Sequence, residues 1–179
     1  MTMFGYHGRV LVVNLNNKTS RWDTLPRKIL QRYLGGTGLG AYLLYQYCPA
    51  GADPMGEDNP LIFITSPLVG SRITTTSKFA IVTKSPLTGF IGDSISSSYL
   101  ATELKATGCD ALIVTGRSHG TIYLYINDGI IQFLDASHLI GHTTLDTEHA
   151  IKVSLGSDVR VASIGPAGEN GVLFASIAN

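Results

Sequence analysis

Cysteine is scarce in this chain of 179 residues, with only Cys48 and Cys109 present. They form no CxxC pair and fall at no metal-ligand spacing, so a thiolate zinc site or a disulfide scaffold is not indicated. Two structural thiols are expected, because free cysteine behaves as a small buried hydrophobe. Charge is also scarce, at 15% of residues, and it is balanced at 13 basic and 13 acidic side chains. No basic run or aromatic-and-arginine groove is present, so no nucleic-acid partner is expected. No charged start leads into a long apolar run, so neither a signal peptide nor a membrane span is expected, and the cytoplasm is the default.

What is abundant is apolar. Hydrophobic residues make up 44% of the chain, which argues against disorder and suffices for a core in a domain of this length. The low charge fraction also suits a chain whose faces are covered by neighbours.

An internal repeat organises the sequence. Arg9–Leu15, a turn at Asn16–Thr19 and Ser20–Leu25 predict strand, turn and strand. Thr121–Ile126, Asn127-Asp128-Gly129 and Ile130–Leu134 predict the same, with Asp-Gly supplying the positive-φ residues of a tight hairpin. Helical sequence follows each hairpin. In the first half Thr24 is the expected N-cap and Pro26 the first helical residue, with Ile29, Leu30, Tyr33 and Leu34 at helical spacing. A second helix is expected over Leu39–Cys48, and one over Leu145–Leu155 in the second half. Leu61–Pro67 and Val159–Pro166 then predict strands, as do Lys78–Thr83 and Val172–Ala178. The expectation is an α+β fold made of duplicated strand-strand-helix-strand-strand units, forming mixed β-sheets with flanking helices. One domain over residues 1–179 is expected.

The densest stretch runs from Lys78 to Phe90 (KFAIVTKSPLTGF) and on through Ile91–Ser98 (IGDSISSS). It predicts a short strand, a Ser-Pro turn, and a loop of small residues entering a helix over Tyr99–Thr107. Backbone N–H groups at a helix start, unobstructed by bulky side chains, can hold an anion such as phosphate. Other segments stand beside it: Gly8–Leu15 (GRVLVVNL), Tyr33–Leu39 (YLGGTGL), Ser66–Gly70 (SPLVG), Thr83–Gly89 (TKSPLTG), Glu103–Val114 (ELKATGCDALIV), Asp135–Gly141 (DASHLIG) and Ala162–Asn170 (ASIGPAGEN).

These segments, in this order, resemble the N-terminal domain of the aldehyde ferredoxin oxidoreductase family. The resemblance covers essentially the whole chain. It implies a domain that forms the base for a tungsten- or molybdenum-bis-pterin cofactor with a bridging magnesium ion. It further implies a [4Fe-4S] cluster held by later domains, the remaining domains of a parent enzyme as partners, and ferredoxin as electron acceptor. Past the position of Asn179 the family continues into a glycine- and arginine-rich segment with a second set of cofactor contacts, so the domain here is expected to be truncated at its C-terminal end.

Carried over by position, the cofactor-binding candidates are Lys78, Ile95, Ser96, Ser97 and Ser98. Many family members have arginine at the position of Lys78, between pterin and cluster. Lysine keeps the charge but loses the planar fork; a solvated lysine at a strand start is the other reading, and Arg72 on the preceding loop is a possible substitute. Ile95 matches a position whose carbonyl helps to hold the magnesium. Ser96-Ser97-Ser98 stand where the family has Ser-Gly-Gly, so two glycines that permit close backbone approach are absent. An ordinary polar helix start is the alternative.

The remaining candidates are weaker. Asp93 reads as a turn former or helix cap, and Glu103 as an exposed helical residue. His138 and His142 have i, i+4 spacing, but Gly141 interrupts it and no carboxylate completes a metal set. Gly35–Gly40 (GGTGLG) lacks the spacing and preceding strand of a dinucleotide fingerprint and predicts a helix break. No nucleophile–base constellation is present, and the resemblance implies that the cluster cysteines and acid/base residues lie in later domains, so the chain alone is expected to be inactive. A different class stays open: a non-catalytic standalone or remnant module with a structural or assembly role, its apolar face repacked or used in a homodimer.

Overall fold

The computed structural model describes residues 4–179. Contacts divide them into two compact units, one of residues up to 119 with 126–131, the other of 120–125 with 132–179.

The first unit is built on a six-stranded mixed sheet of order β2-β1-β6-β3-β4-β5. β1 (Arg9–Asn14) is buried from Val10 to Val13, as a continuous apolar run in a central strand should be. It pairs antiparallel with β2 (Thr19–Thr24) and parallel with β6 (Ala111–Thr115). β3 (Leu61–Ile64) lies antiparallel between β6 and β4 (Lys78–Lys84), and β5 (Ile91–Ser97) closes that side of the sheet. One face carries Val10, Val12, Ile62, Ile64, Val82 and Ile113 against α1 (Arg27–Tyr33) and α2 (Gly36–Tyr47), through Leu30, Leu39, Leu43 and Leu44. The other carries Phe63, Phe79 and Ile81 against Val69 and against Leu100 and Ala101 of α3 (Tyr99–Ala106).

Helix α2 lies close to the sheet because Gly40 lets it. A Cβ there would sit 2.4 Å from Val82 Cγ2 and 2.8 Å from Ile64 Cδ1. The glycine cluster thus serves helix–sheet packing, and α2 begins within it at Gly36 rather than at Leu39. Thr24 is not an N-cap: its backbone belongs to the β1–β2 ladder opposite Arg9, so the helix starts at Arg27 with Pro26 at the N-cap position.

A polar knot lies under the sheet. Asp110 is 1% exposed. Its Oδ1 accepts from Lys105 Nζ at 2.5 Å and from the His7 amide at 3.2 Å, and its Oδ2 from the Gly8 amide at 2.7 Å. Beside it the thiol of Cys109 is fully buried, and burial pushes its pKa up. Cys48 is half-buried at the end of α2.

At the α1–α2 side, Tyr47 donates its hydroxyl to Asp23 at 2.8 Å. Burial first, and this bond second, push the Tyr47 phenol up to about 12. Unfolded tyrosine titrates near 10, so the bond's contribution is complete below about pH 10 and is lost as pH rises to about 12. Tyr47→Phe is therefore expected to flatten the alkaline fall in stability across that window. A urea midpoint that falls equally in both proteins would refute the assignment.

The hairpin of β7 (Ile122–Asn127) and β8 (Ile130–Asp135), whose residues 126–131 group with the first unit and the rest with the second, turns through positive φ at Asp128 and Gly129 as the Asn-Asp-Gly signal requires. A 3-10 turn (Ser137–Leu139), α4 (Thr144–Leu155) and α5 (Pro166–Glu169) follow. Thr143 caps α4 by accepting from the Asp146 amide at 3.2 Å. The core is small: Ala136, Leu139 and Ile151, flanked by Tyr123, Leu155, Val159 and Val161. The strands expected at Val159–Pro166 and Val172–Ala178 reduce to one isolated bridge, Ser163 with Ala178. Pro166 has no N–H to extend a ladder and starts α5 instead. The α+β class and the mixed sheet stand, with the hairpin of the second half in a separate two-stranded sheet.

Candidate functional site

The segment 91–97 is a strand, not the loop expected from its small residues. Serine and glycine have weak strand preference, but pairing along the whole of β4 overrides it. The register sets Lys78 opposite Ser97, Phe79 opposite Ser96, Ala80 opposite Ile95 and Val82 opposite Asp93. Period-two geometry then separates the candidates by face. Lys78, Asp93, Ile95 and Ser97 lie on the α2 face, where Thr37 Oγ1 donates to Asp93 Oδ2 at 3.0 Å. Ser96 lies on the opposite face with buried Phe79.

Backbone direction follows from one bond. Ser85 N donates to Phe90 O at 2.7 Å, closing the turn between β4 and β5. Antiparallel ladders alternate, so the hydrogen-bonded pairs continue at 83/92, 81/94 and 79/96. Ile91, Asp93, Ile95 and Ser97 therefore direct N–H and C=O away from β4, along the side of the sheet that no strand covers among the described residues.

The structure brings Lys78 and Ser97 together: the ammonium donates to the hydroxyl at 2.6 Å. Ile95 stands two residues away on the same face, 63% exposed. Ser98 has a different task. Its hydroxyl caps α3 by accepting from Leu100 N at 3.2 Å, and its carbonyl accepts from Ser77 Oγ at 2.6 Å, while Ser77 also bonds Thr102 Oγ1 at 3.0 Å. The helix start is thus satisfied by its own serine. Arg72 is exposed on the connection from β3 to β4, and Glu103 is exposed on α3. Asp93 is neither turn former nor helix cap, since it sits mid-strand bound to Thr37.

This donor set suits a phosphate-bearing, magnesium-bridged group. An anion placed at this edge would meet the Lys78 ammonium and the Ser97 hydroxyl, and a cation the outward carbonyl of Ile95. None of Ser96, Ser97 and Ser98 needs positive φ, and Ser98 is fully extended, so serine replaces glycine without backbone strain. The added Cβ atoms remain the one departure. Sequence reasoning missed the strand and with it Asp93 and Ser97 as edge residues. The only local signal was the β-branched pair Ile91 and Ile95, and no alternation of apolar with polar residues accompanies it.

The sequence pattern of the aldehyde ferredoxin oxidoreductase N-terminal domain matches residues 10–179. The tungsten-containing aldehyde ferredoxin oxidoreductase of Thermococcus kodakarensis is 43% identical over 178 residues, covering 99% of this chain and 29% of the relative. That of Pyrococcus horikoshii is 42% identical over the same shares. Among solved structures, the active site complex BamBC of benzoyl coenzyme A reductase with 1,5-dienoyl-CoA superposes with a TM-score of 0.95 at 35% identity, covering 99% of this chain and 27% of that one. The chain therefore belongs to the aldehyde ferredoxin oxidoreductase family, a family of tungsten-containing oxidoreductases, and corresponds to its N-terminal domain. It spans less than a third of the length of these relatives, 29% in both curated cases.

Proposed function

We propose that this domain cradles a tungsten- or molybdenum-bis-pterin cofactor, with bridging magnesium, in an enzyme that oxidises an aldehyde to a carboxylate. The carrying observation is the β5 edge, where an outward carbonyl at Ile95 and the Lys78–Ser97 pair lie on one face. When bound, the metal–pterin group supplies the two-electron redox chemistry. The chain's own residues bind and orient. Lys78 offsets phosphate charge, Ser97 fixes the direction of that ammonium, and the Ile95 carbonyl faces the cation. Ser98 holds α3 in register beneath them through Ser77 and Thr102.

Electrons are proposed to leave through a [4Fe-4S] cluster to ferredoxin. Two cysteines cannot supply four cluster thiolates, so other domains must hold it and the isolated chain is inactive. Higher identity to the aldehyde enzymes than to the benzoyl coenzyme A reductase complex favours the aldehyde reading. The thiols of Cys48 and Cys109 suit the cytoplasm.

The test is to purify the full product of the encoding gene from cells supplied with tungstate or molybdate, and to assay metal and pterin. One metal ion and two pterins per chain are expected, with Lys78→Ala lowering pterin retention several-fold while the fold persists. A folded protein with neither metal nor pterin would refute the cradle. It would leave the non-catalytic assembly module, which the Cβ atoms of Ser97 and Ser98 favour.

A further inference from the structure

We propose that Asp128-Gly129, the tip of the β7–β8 hairpin, is a site of spontaneous isoaspartate formation, and that the fold directs this chemistry there and away from Asn170-Gly171. The proposal is independent of the cofactor.

These are the two places in the chain where aspartate or asparagine precedes glycine. Glycine has no side chain to hinder attack of its amide nitrogen on the preceding Cγ. A bond forms between that nitrogen and Cγ. The nitrogen gives up its proton, and water leaves from an aspartic acid or ammonia from an asparagine. Water then opens the five-membered succinimide at either carbonyl. Opening at the side-chain carbonyl restores aspartate. Opening at the main-chain carbonyl leaves the backbone running through Cβ and Cγ, as isoaspartate. Water is the only co-reactant, and nothing is oxidised or reduced.

In an unfolded chain at neutral pH asparagine closes the ring faster, because an ionised carboxylate is a poor electrophile. The structure opposes that order. At Asn170 both reacting groups are occupied: Nδ2 donates to Pro166 O at 2.7 Å, and Gly171 N donates to Gly168 O at 3.0 Å. Asn170 N also donates to Pro166 O at 3.0 Å, which holds the residue at the end of α5. Closure there must first break these bonds.

At the hairpin tip neither group is held. A two-residue turn with positive φ at both positions leaves its central amide outside the ladder. Among the described residues the Asp128 carboxylate accepts from no donor, and Gly129 N donates to no acceptor. Ring closure is intramolecular, so it requires no groove and no partner, only these two free groups. The product adds a methylene to the main chain inside the turn that sets the pairing of β7 with β8, and so loosens the hairpin.

The test incubates the full product of the encoding gene, folded and in urea at the same pH, and then digests it. Mass spectrometry with electron-transfer fragmentation follows the peptides carrying residues 128 and 170, since cleavage of the Cα–Cβ bond marks isoaspartate. The ratio of conversion at 128 to conversion at 170 is expected to be at least about tenfold higher in folded protein than in urea. Conversion at 128 should quicken as pH falls from neutral, since the neutral acid is the reactive form. Asp128→Asn, which this turn accepts, should react faster than the wild type at neutral pH. Amide exchange in β7 and β8 should rise with isoaspartate content. A ratio that urea leaves unchanged, or a folded protein that forms no isoaspartate at 128, overturns the proposal.

Discussion

Replacing Asp110 by alanine is expected to destabilise the chain by about 3–5 kcal/mol, because it breaks a buried ion pair from one side. The ammonium of Lys105, itself buried, loses its carboxylate, and the amides of His7 and Gly8 lose their acceptors together. Arg9 and Thr65 bracket the same residue through its backbone, since Asp110 N donates to Arg9 O at 2.9 Å and Thr65 N and Oγ1 both donate to Asp110 O at 3.1 Å. The knot thereby ties the segment before β1 to the start of β6 and to β3. A double variant, Lys105→Met with Asp110→Leu, should recover part of the loss, because an apolar pair removes the stranded charge. Recovery should be incomplete, since two backbone amides stay unpaired. Urea denaturation measures both. A loss under about 1 kcal/mol for Asp110→Ala would mean that water, not Lys105, satisfies this carboxylate.

The second large effect is expected at Phe79, which is 2% exposed. Its ring lies 6.1 Å from that of Phe63 and packs on Val69 and Ala101, directly across the ladder from Ser96. Phe79→Ala should remove about 3–5 kcal/mol through lost burial and a cavity. Phe79→Leu, which keeps most of the volume, should lose under about 1.5 kcal/mol. The alanine variant should also speed amide exchange in β4 and α3 while leaving α4 unchanged, because the small core around Ile151 does not include this ring. Equal acceleration in α4 would show instead that the whole chain unfolds as one unit.

Much of this was legible in the residues. The run Arg9–Leu15 announced a strand, Asn127-Asp128-Gly129 a hairpin, and the Tyr99–Thr107 pattern a helix, and each is present within a residue or so. These signals are local, set by burial on both faces, by positive φ and by capping. The β5 strand was not legible as such, because Gly92, Ser94, Ser96 and Ser97 have no preference for it. Only the ladder to β4 makes it a strand. Val159–Pro166 failed in the opposite sense. Its residues favour a strand, but only Ser163 finds a partner, and propensity without pairing makes no ladder.

The candidate site divides along the same line. By itself the sequence determined the family and the α+β class, because motif order and residue type need no coordinates, and it offered the positions from Lys78 to Ser98 as candidates. Tertiary structure decided what each position can do. Pairing register put Lys78 on Ser97, turned the Ile95 carbonyl outward, sent Ser96 to the other face and assigned Ser98 to the helix cap. A shift of one residue in that register would exchange every one of these roles, and register is fixed only when two strands meet.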